Sequence, residues 1–328
     1  MNRIVYRVTI ALSGAFLLAN LACADESATG YPDRPITAVV GYPSGGVNDI
    51  LGRIVAEPLG KELKQTVLIE NRAGANGIIG VDYVAKATSD GYTILFSGTP
   101  LAVNETLYPK LPYKTIGDFK GVSLLASGTF VLVVHPSLPV KNVAELIELA
   151  RKKPGKLNFC SSGPGAPSHL MGELLKQTAK ISMTHIPYRG VAPCMNDLLA
   201  NQVDMAFEAL APLLPHIRSG KLRALAVMSE ARSEVLPDVP TIAEASGYKN
   251  LSAATWYGLF VAAGTSDAKV NALNKATIRA LSISTVKEKL SALGLNVITS
   301  SPAELDQYLG REVKKWGDVV KASGAKVE

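Results

Sequence analysis

Cysteine is scarce in this chain of 328 residues, with only Cys23, Cys160 and Cys194 present. That count excludes a small scaffold held together by many disulfides. No block of like charge and no low-complexity tract is present, so nothing in the composition argues for disorder. Lysine and arginine are not gathered into a dense patch interleaved with aromatics, which argues against a nucleic-acid partner. Nucleotide signatures are missing too: there is no Gly-Lys-Ser/Thr ending on any glycine-rich loop and no strand-linked G-x-G-x-x-G. Ser44, Ser161 and Ser162 do not sit in a G-x-S-x-G elbow. His169 and His185 have no cysteine or carboxylate at metal-ligand spacing, so no metal and no other cofactor is expected.

The chain is instead rich in apolar residues (47%) and in turn formers, with 28 Gly and 19 Pro, as befits a two-domain globular protein. Its start reads as an export signal over residues 1–24. Arg3 and Arg7 precede a mostly apolar run from Val8 to Leu21, and Ala22-Cys23-Ala24 offers small residues for cleavage. The run is short and closely followed by Asp25 and Glu26, which disfavours a membrane span. A lipid anchor on Cys23 is the alternative, weakened by Asn20 where such a signal prefers Leu. Without Arg3 and Arg7 the formal charge falls from +6 to +4, a mild bias toward anionic ligands.

Apolar runs alternate with helical patterns along the rest of the chain. Pro35–Tyr42 reads as a strand and Asn48 onward as a helix that Pro58 should bend or interrupt. Strand Thr66–Glu70, helix Val81–Ala87 and strand Tyr92–Ser97 follow, the pattern of a parallel sheet. Val122–His135 holds two apolar runs split by Ser-Gly-Thr and reads as the passage between domains. A second series of strands and helices fills 143–228. Trp256–Ala262 reads as a return crossing, and the remainder is helical. The expected fold is therefore α/β and two-lobed, each lobe a mainly parallel sheet flanked by helices, with a ligand cleft between lobes. Residues 31–125 and 262–328 are assigned to the first lobe and 126–261 to the second.

Two loops between strand and helix carry the chemistry. One is Gly41-Tyr42-Pro43-Ser44-Gly45-Gly46, and the other is Ser161-Ser162-Gly163-Pro164-Gly165-Ala166-Pro167-Ser168. Glycines let backbone N–H groups turn inward, and the following helix N-terminus adds unpaired donors and partial positive charge. Either loop alone is equally well read as a tight turn. Two of them, one per lobe, make a pair of anion cradles facing one cleft. Tyr42 and Tyr188 are the candidates for an aromatic wall, with strand-end packing as the alternative for both. Cys160 ends one expected strand and Cys194 follows the next, so the pair either forms a disulfide or stays as two buried thiols.

Several segments together resemble a known family. They include Tyr31-Pro32-Asp33-Arg34-Pro35-Ile36, Gly45–Asp49, and Glu70-Asn71-Arg72-Ala73-Gly74-Ala75-Asn76-Gly77. Asp90-Gly91-Tyr92-Thr93, Leu111-Pro112-Tyr113, His135-Pro136-Ser137-Leu138, Pro154–Asn158 and Leu236–Thr241 follow the same pattern. The chain resembles the substrate-binding proteins of tripartite tricarboxylate transporters, the Bug (TctC-like) family, from about Tyr31 to the last helix. The resemblance implies a periplasmic, monomeric binding protein that closes on a di- or tricarboxylate, an acidic amino acid or an aromatic acid and delivers it to a membrane permease. It places the carboxylate on the loops matching Tyr42–Asp49 and Ser161–His169. The site residues expected are thus Tyr42, Ser44, Gly45, Gly46, Asn48, Asp49, Ser161, Ser162, Gly163, Gly165, Ser168, His169 and Tyr188. Departures from the family pattern cluster here: Gly41-Tyr42 for Pro-Phe, Ser44 for Pro, and Glu208-Ala209 for Asp-Asn. No catalysis is expected. A sensor for a membrane signalling partner is one alternative. A serine-dependent transferase or hydrolase is another, and it lacks a general base at recognisable spacing.

Overall fold

The computed structural model describes residues 30–325. The expected export signal, with Cys23, lies outside the described residues.

The chain begins with β1 (Ile36–Val40), whose ITAVV sequence is buried along nearly its whole length, as in a strand covered on both faces. Next come α1 (Val47–Leu63), β2 (Val67–Asn71), α2 (Ile78–Ala85), β3 (Thr93–Gly98) and α3 (Thr99–Leu107). The long β4 (Phe119–Val134) leads to α4 (Val143–Lys152), β5 (Asn158–Ser161), α5 (Pro167–Ala179), β6 (Thr184–Pro187) and α6 (Val191–Leu199). After these lie β7 (Met205–Ala209), α7 (Leu210–Arg218), β8 (Arg223–Val227), α8 (Ile242–Ser246) and β9 (Ala254–Ala262). The C-terminal part holds α9 (Asp267–Ser282), α10 (Ser284–Ser291), β10 (Asn296–Val297) and α11 (Pro302–Ser323).

Two sheets share β4. In the first, β2, β1 and β3 run parallel, β9 adds antiparallel to β3, and β4 antiparallel to β9. In the second, β6, β5 and β7 run parallel, and β4 closes antiparallel on β7 and β8. The changeover falls between two adjacent residues: Thr129 pairs with Ala254 in the first sheet, and Phe130 with Ala209 in the second. Register shifts at Gly121/Ser123, Leu124/Ala126 and Leu132/Val133 mark bulges, which bend a strand too long to lie flat. The expected passage at Val122–His135 is thus one continuous strand. β9 pairs only with β3 and the first half of β4, although the expected boundaries put most of it with the second lobe. A shared apolar core runs along one side of both sheets, where α11 packs on α3 and α5.

Pro58 does not interrupt α1. It removes one N–H from the ladder, but Leu51, Val55, Leu59 and Leu63 recur at helical spacing and bury the whole face against the first sheet. Helix α11 starts with a reciprocal cap: Ser301 Oγ accepts from Glu304 N–H, and the Glu304 carboxylate accepts from Ser301 N–H at 2.7 Å. Ser301→Ala should cost about 1 kcal/mol, read as a lower urea midpoint with an unchanged slope. Cys160 and Cys194 are joined in a disulfide with Cα atoms 5.6 Å apart, tying the end of β5 to α6.

Candidate functional site

Five helices aim their N-termini at one cleft between the lobes. First-turn or capping residues of α1, α3, α5, α6 and α7 all line it. None of these five has a side chain capping its first turn, as α2, α9 and α10 away from the cleft also have none, while α4, α8 and α11 are capped by Asn142, Thr241 and Ser301. An uncapped N-terminus leaves backbone N–H donors unpaired and concentrates partial positive charge. Converging five of them builds a field suited to an anion.

The walls between these ends are largely apolar, with Tyr42, Phe130 and Tyr257 as the aromatic members. The Tyr42 hydroxyl is turned out of the cleft and donates to the Asn76 carbonyl at 2.9 Å. Asn76 Nδ2 in turn reaches the Gly165 carbonyl at 3.2 Å, a direct bond between the first-lobe turn and the second loop. Arg189 lines the rim and is exposed.

Three lining residues present buried polar atoms with no hydrogen-bond partner in the protein: Asn48 Oδ1, Glu208 Oε1 and Thr255 Oγ1. Glu208 stands near the end of β7 and is only 5% exposed. Burial raises its carboxyl to about 7, while the nearby Ser168 and Ser162 hydroxyls and the Ser162 and Ala209 N–H groups pull the other way. Its Oε1 is buried with no hydrogen-bond partner.

The first loop needs glycine at Gly45, where φ is +86°. The Gly45 N–H does not face the cleft, because it donates to Asp49 Oδ2 at 3.0 Å. Asp49 also takes Asn71 Nδ2 and a salt bridge from Arg53 at 2.9 Å. Burial pushes its carboxyl up, but these hydrogen bonds outweigh that and hold it below its ordinary range. Asp49 therefore braces the loop from behind.

The second loop is braced from inside in the same way. Ser161 Oγ is fully buried, donates to the Gly163 carbonyl and accepts from Gly163 N–H. The same Oγ also lies 2.6 Å from His185 Nε2, in a hydrogen bond whose donor is set by the imidazole tautomer. His169 Nδ1 accepts from Gly165 N–H, and the two imidazoles stack at 3.9 Å. Burial lowers both pKa values, that of His185 to about 3, with His169 and Lys176 adding repulsion. A folded pKa below the unfolded one means stability present above about pH 6.5 and lost as pH falls toward 3. His185→Gln keeps a hydrogen-bond partner for Ser161 and should remove about 2 kcal/mol of the acid destabilisation between pH 7 and pH 4.5. Paired urea titrations of wild type and variant at both pH values check this.

Of the residues expected at the site, Tyr42, Ser44, Gly46, Asn48, Ser162 and Ser168 line the cleft. Gly45, Asp49, Ser161, Gly163, Gly165 and His169 form the loops' inner bracing, and Tyr188 packs outside with its hydroxyl on Asp197. Thr99, Phe130, Arg189, Thr255 and Tyr257, together with the first turn of α6, line the cleft without having been singled out from sequence. Among the described residues no group of His, Cys, Asp and Glu could hold a metal ion, and no helix is long and apolar enough to cross a membrane.

The family model for the "Tripartite tricarboxylate transporter family receptor", TctC, matches residues 51–325. The chain belongs to the TctC family. Among curated relatives, Protein BugT of Bordetella pertussis is 37% identical over 321 residues, covering 97% of this chain and 98% of BugT. The solved structure of the periplasmic binding protein BugD superposes with a TM-score of 0.86 at 34% identity, covering 91% of this chain and all of BugD. Rpa4515 of R. palustris, solved with adipate, gives 0.86 at 34% identity over 90% of this chain and 100% of that one. MatC of Rhodopseudomonas palustris, solved with malate, gives 0.84 at 33% identity over 88% of this chain and 100% of that one. TctC proteins are periplasmic substrate-binding receptors rather than enzymes, and this chain shares their two-lobed α/β fold.

Proposed function

We propose that this TctC-family chain is an exported, monomeric solute-binding protein that captures a small carboxylate in the cleft and hands it to a tripartite-type membrane permease. The observation that carries this reading is the convergence of five helix N-termini without side-chain caps on one partly apolar cleft. Such a site supplies backbone donors and positive potential at fixed positions, at no side-chain entropy cost. The adipate and malate bound by two structural neighbours are ligands of the class this geometry suits. Ser44 of the first loop and Ser162 of the second would add hydroxyl donors from opposite lobes.

Thermal denaturation of the mature protein against a panel of small mono-, di- and tricarboxylates, amino acids and aromatic acids tests the reading. At least one should raise the melting temperature in proportion to the logarithm of its concentration. A panel that shifts nothing, with the protein melting cooperatively, would sink it.

A further inference from the structure

Glu208 stands in the wall of the cleft, beside the second loop. The second loop's donors, Ser162 Oγ and Ser168 Oγ, already bond each other at 3.0 Å, and Ser168 Oγ also takes the Ser162 N–H. Those groups lie beside the Glu208 carboxyl. The charged and titratable groups facing that carboxyl are few. Tyr42 from the first loop and Tyr257 from β9 are neutral phenols that Glu208 helps keep protonated. Arg189, the cation among the cleft residues, stands exposed at the rim. Glu208 is thus an acid buried without a counter-ion. Its Oε1 has no partner, and neither has Asn48 Oδ1, a second acceptor atom in the same cleft.

A dianion in this cleft would set carboxylate beside carboxylate, and one of the two would have to hold a proton. An ammonium would instead find an acceptor already desolvated and waiting, and would form a charge-assisted hydrogen bond. Resting on the reading of the cleft as a carboxylate site, we propose that Glu208 determines its specificity. The ligand is a small zwitterion whose carboxylate meets the helix N-termini and whose ammonium meets Glu208 Oε1.

Calorimetric titration at pH 8 tests this with straight-chain acids of three to six carbons carrying a methyl, a carboxylate or an ammonium at the far end. Wild type should bind an ammonium-bearing member about tenfold more tightly than the dicarboxylate of equal length. Glu208→Gln should abolish that preference and strengthen dicarboxylate binding. Glu208→Asp, which keeps the charge, should retain the preference and guards against a variant that is merely misfolded. A wild type that favours the dicarboxylate or the methyl-ended acid overturns the zwitterion assignment and leaves the carboxylate reading standing. So does a preference unchanged in Glu208→Gln. If no acid of any series binds, the carboxylate reading itself falls, and this inference with it.

Discussion

Replacing Cys160 and Cys194 by alanine is expected to lower the unfolding free energy by about 3–4 kcal/mol, the loop-closure value for a bridge of this span. The bridge joins residues 34 apart in sequence, and both ends are buried among Val131, Leu198, Val203 and Leu213. The loss comes mainly from the unfolded chain, which regains the freedom the bridge denies it. The measurement is the urea midpoint of the double variant beside wild type with and without reductant. Reduced wild type should fall toward the variant, and the variant should ignore reductant. If reductant leaves wild type unmoved while thiol titration after unfolding finds two free thiols, the bridge is not formed in solution.

The second large effect has the opposite sign. Glu208→Gln should stabilise the protein at pH 8 by about 3 kcal/mol, from the rise of its carboxyl from 4.5 to about 7. The sign follows from proton linkage. Below pH 4.5 the carboxyl is protonated in both states and contributes nothing. Between 4.5 and 7 the unfolded chain ionises while the folded one holds its proton, so stability is lost. Above 7 the loss is complete. Melting curves of wild type and variant should therefore separate at pH 8 and coincide near pH 4. Equal separation at both pH values would mean that the glutamine acts through packing.

Much of this arrangement was legible in the sequence because glycine is legible. Gly45-Gly46 and Gly163-x-Gly165 each stand between an apolar strand and a helical pattern, and both loops fall where that reading puts them. What the loops do was less legible. Gly45 and Gly163 looked like cradle donors, but Asp49 Oδ2 and Ser161 Oγ consume their N–H groups, and no one-dimensional pattern shows which way an N–H points. Asp49 and Ser161 brace the loops from within, and the helix ends beyond them line the cleft. Helix α3 escaped notice because Gly98 offers no side-chain cap and TPLAVNETL follows a strand directly. Glu208 is placed near the site only by the resemblance, because β7 is buried on both faces and alternation along MAFEA does not say which side is the cleft. Tyr188 is a wall candidate from sequence because it ends a strand just before Arg189-Gly190, yet its hydroxyl packs on Asp197 outside the cleft. Tyr257 reaches the cleft only because β9 returns from far along the chain to pair with β3 and β4.

That return has a consequence for how the polypeptide assembles as it emerges. The strands of the second sheet, from Phe130 in β4 to Val227 in β8, come from one contiguous stretch of chain and can pair without anything made later. The first sheet cannot: β1, β2 and β3 wait for β9, more than 150 residues downstream of β3, before their inner edge is covered. Such distant pairing is the slow part of folding. The half that appears first is therefore the half completed last, and it must travel with an unpaired strand edge in the meantime. Both tryptophans, Trp256 in β9 and Trp316 in α11, belong to the late segment. Their fluorescence would follow the closing of the first sheet and stay silent while the second one forms.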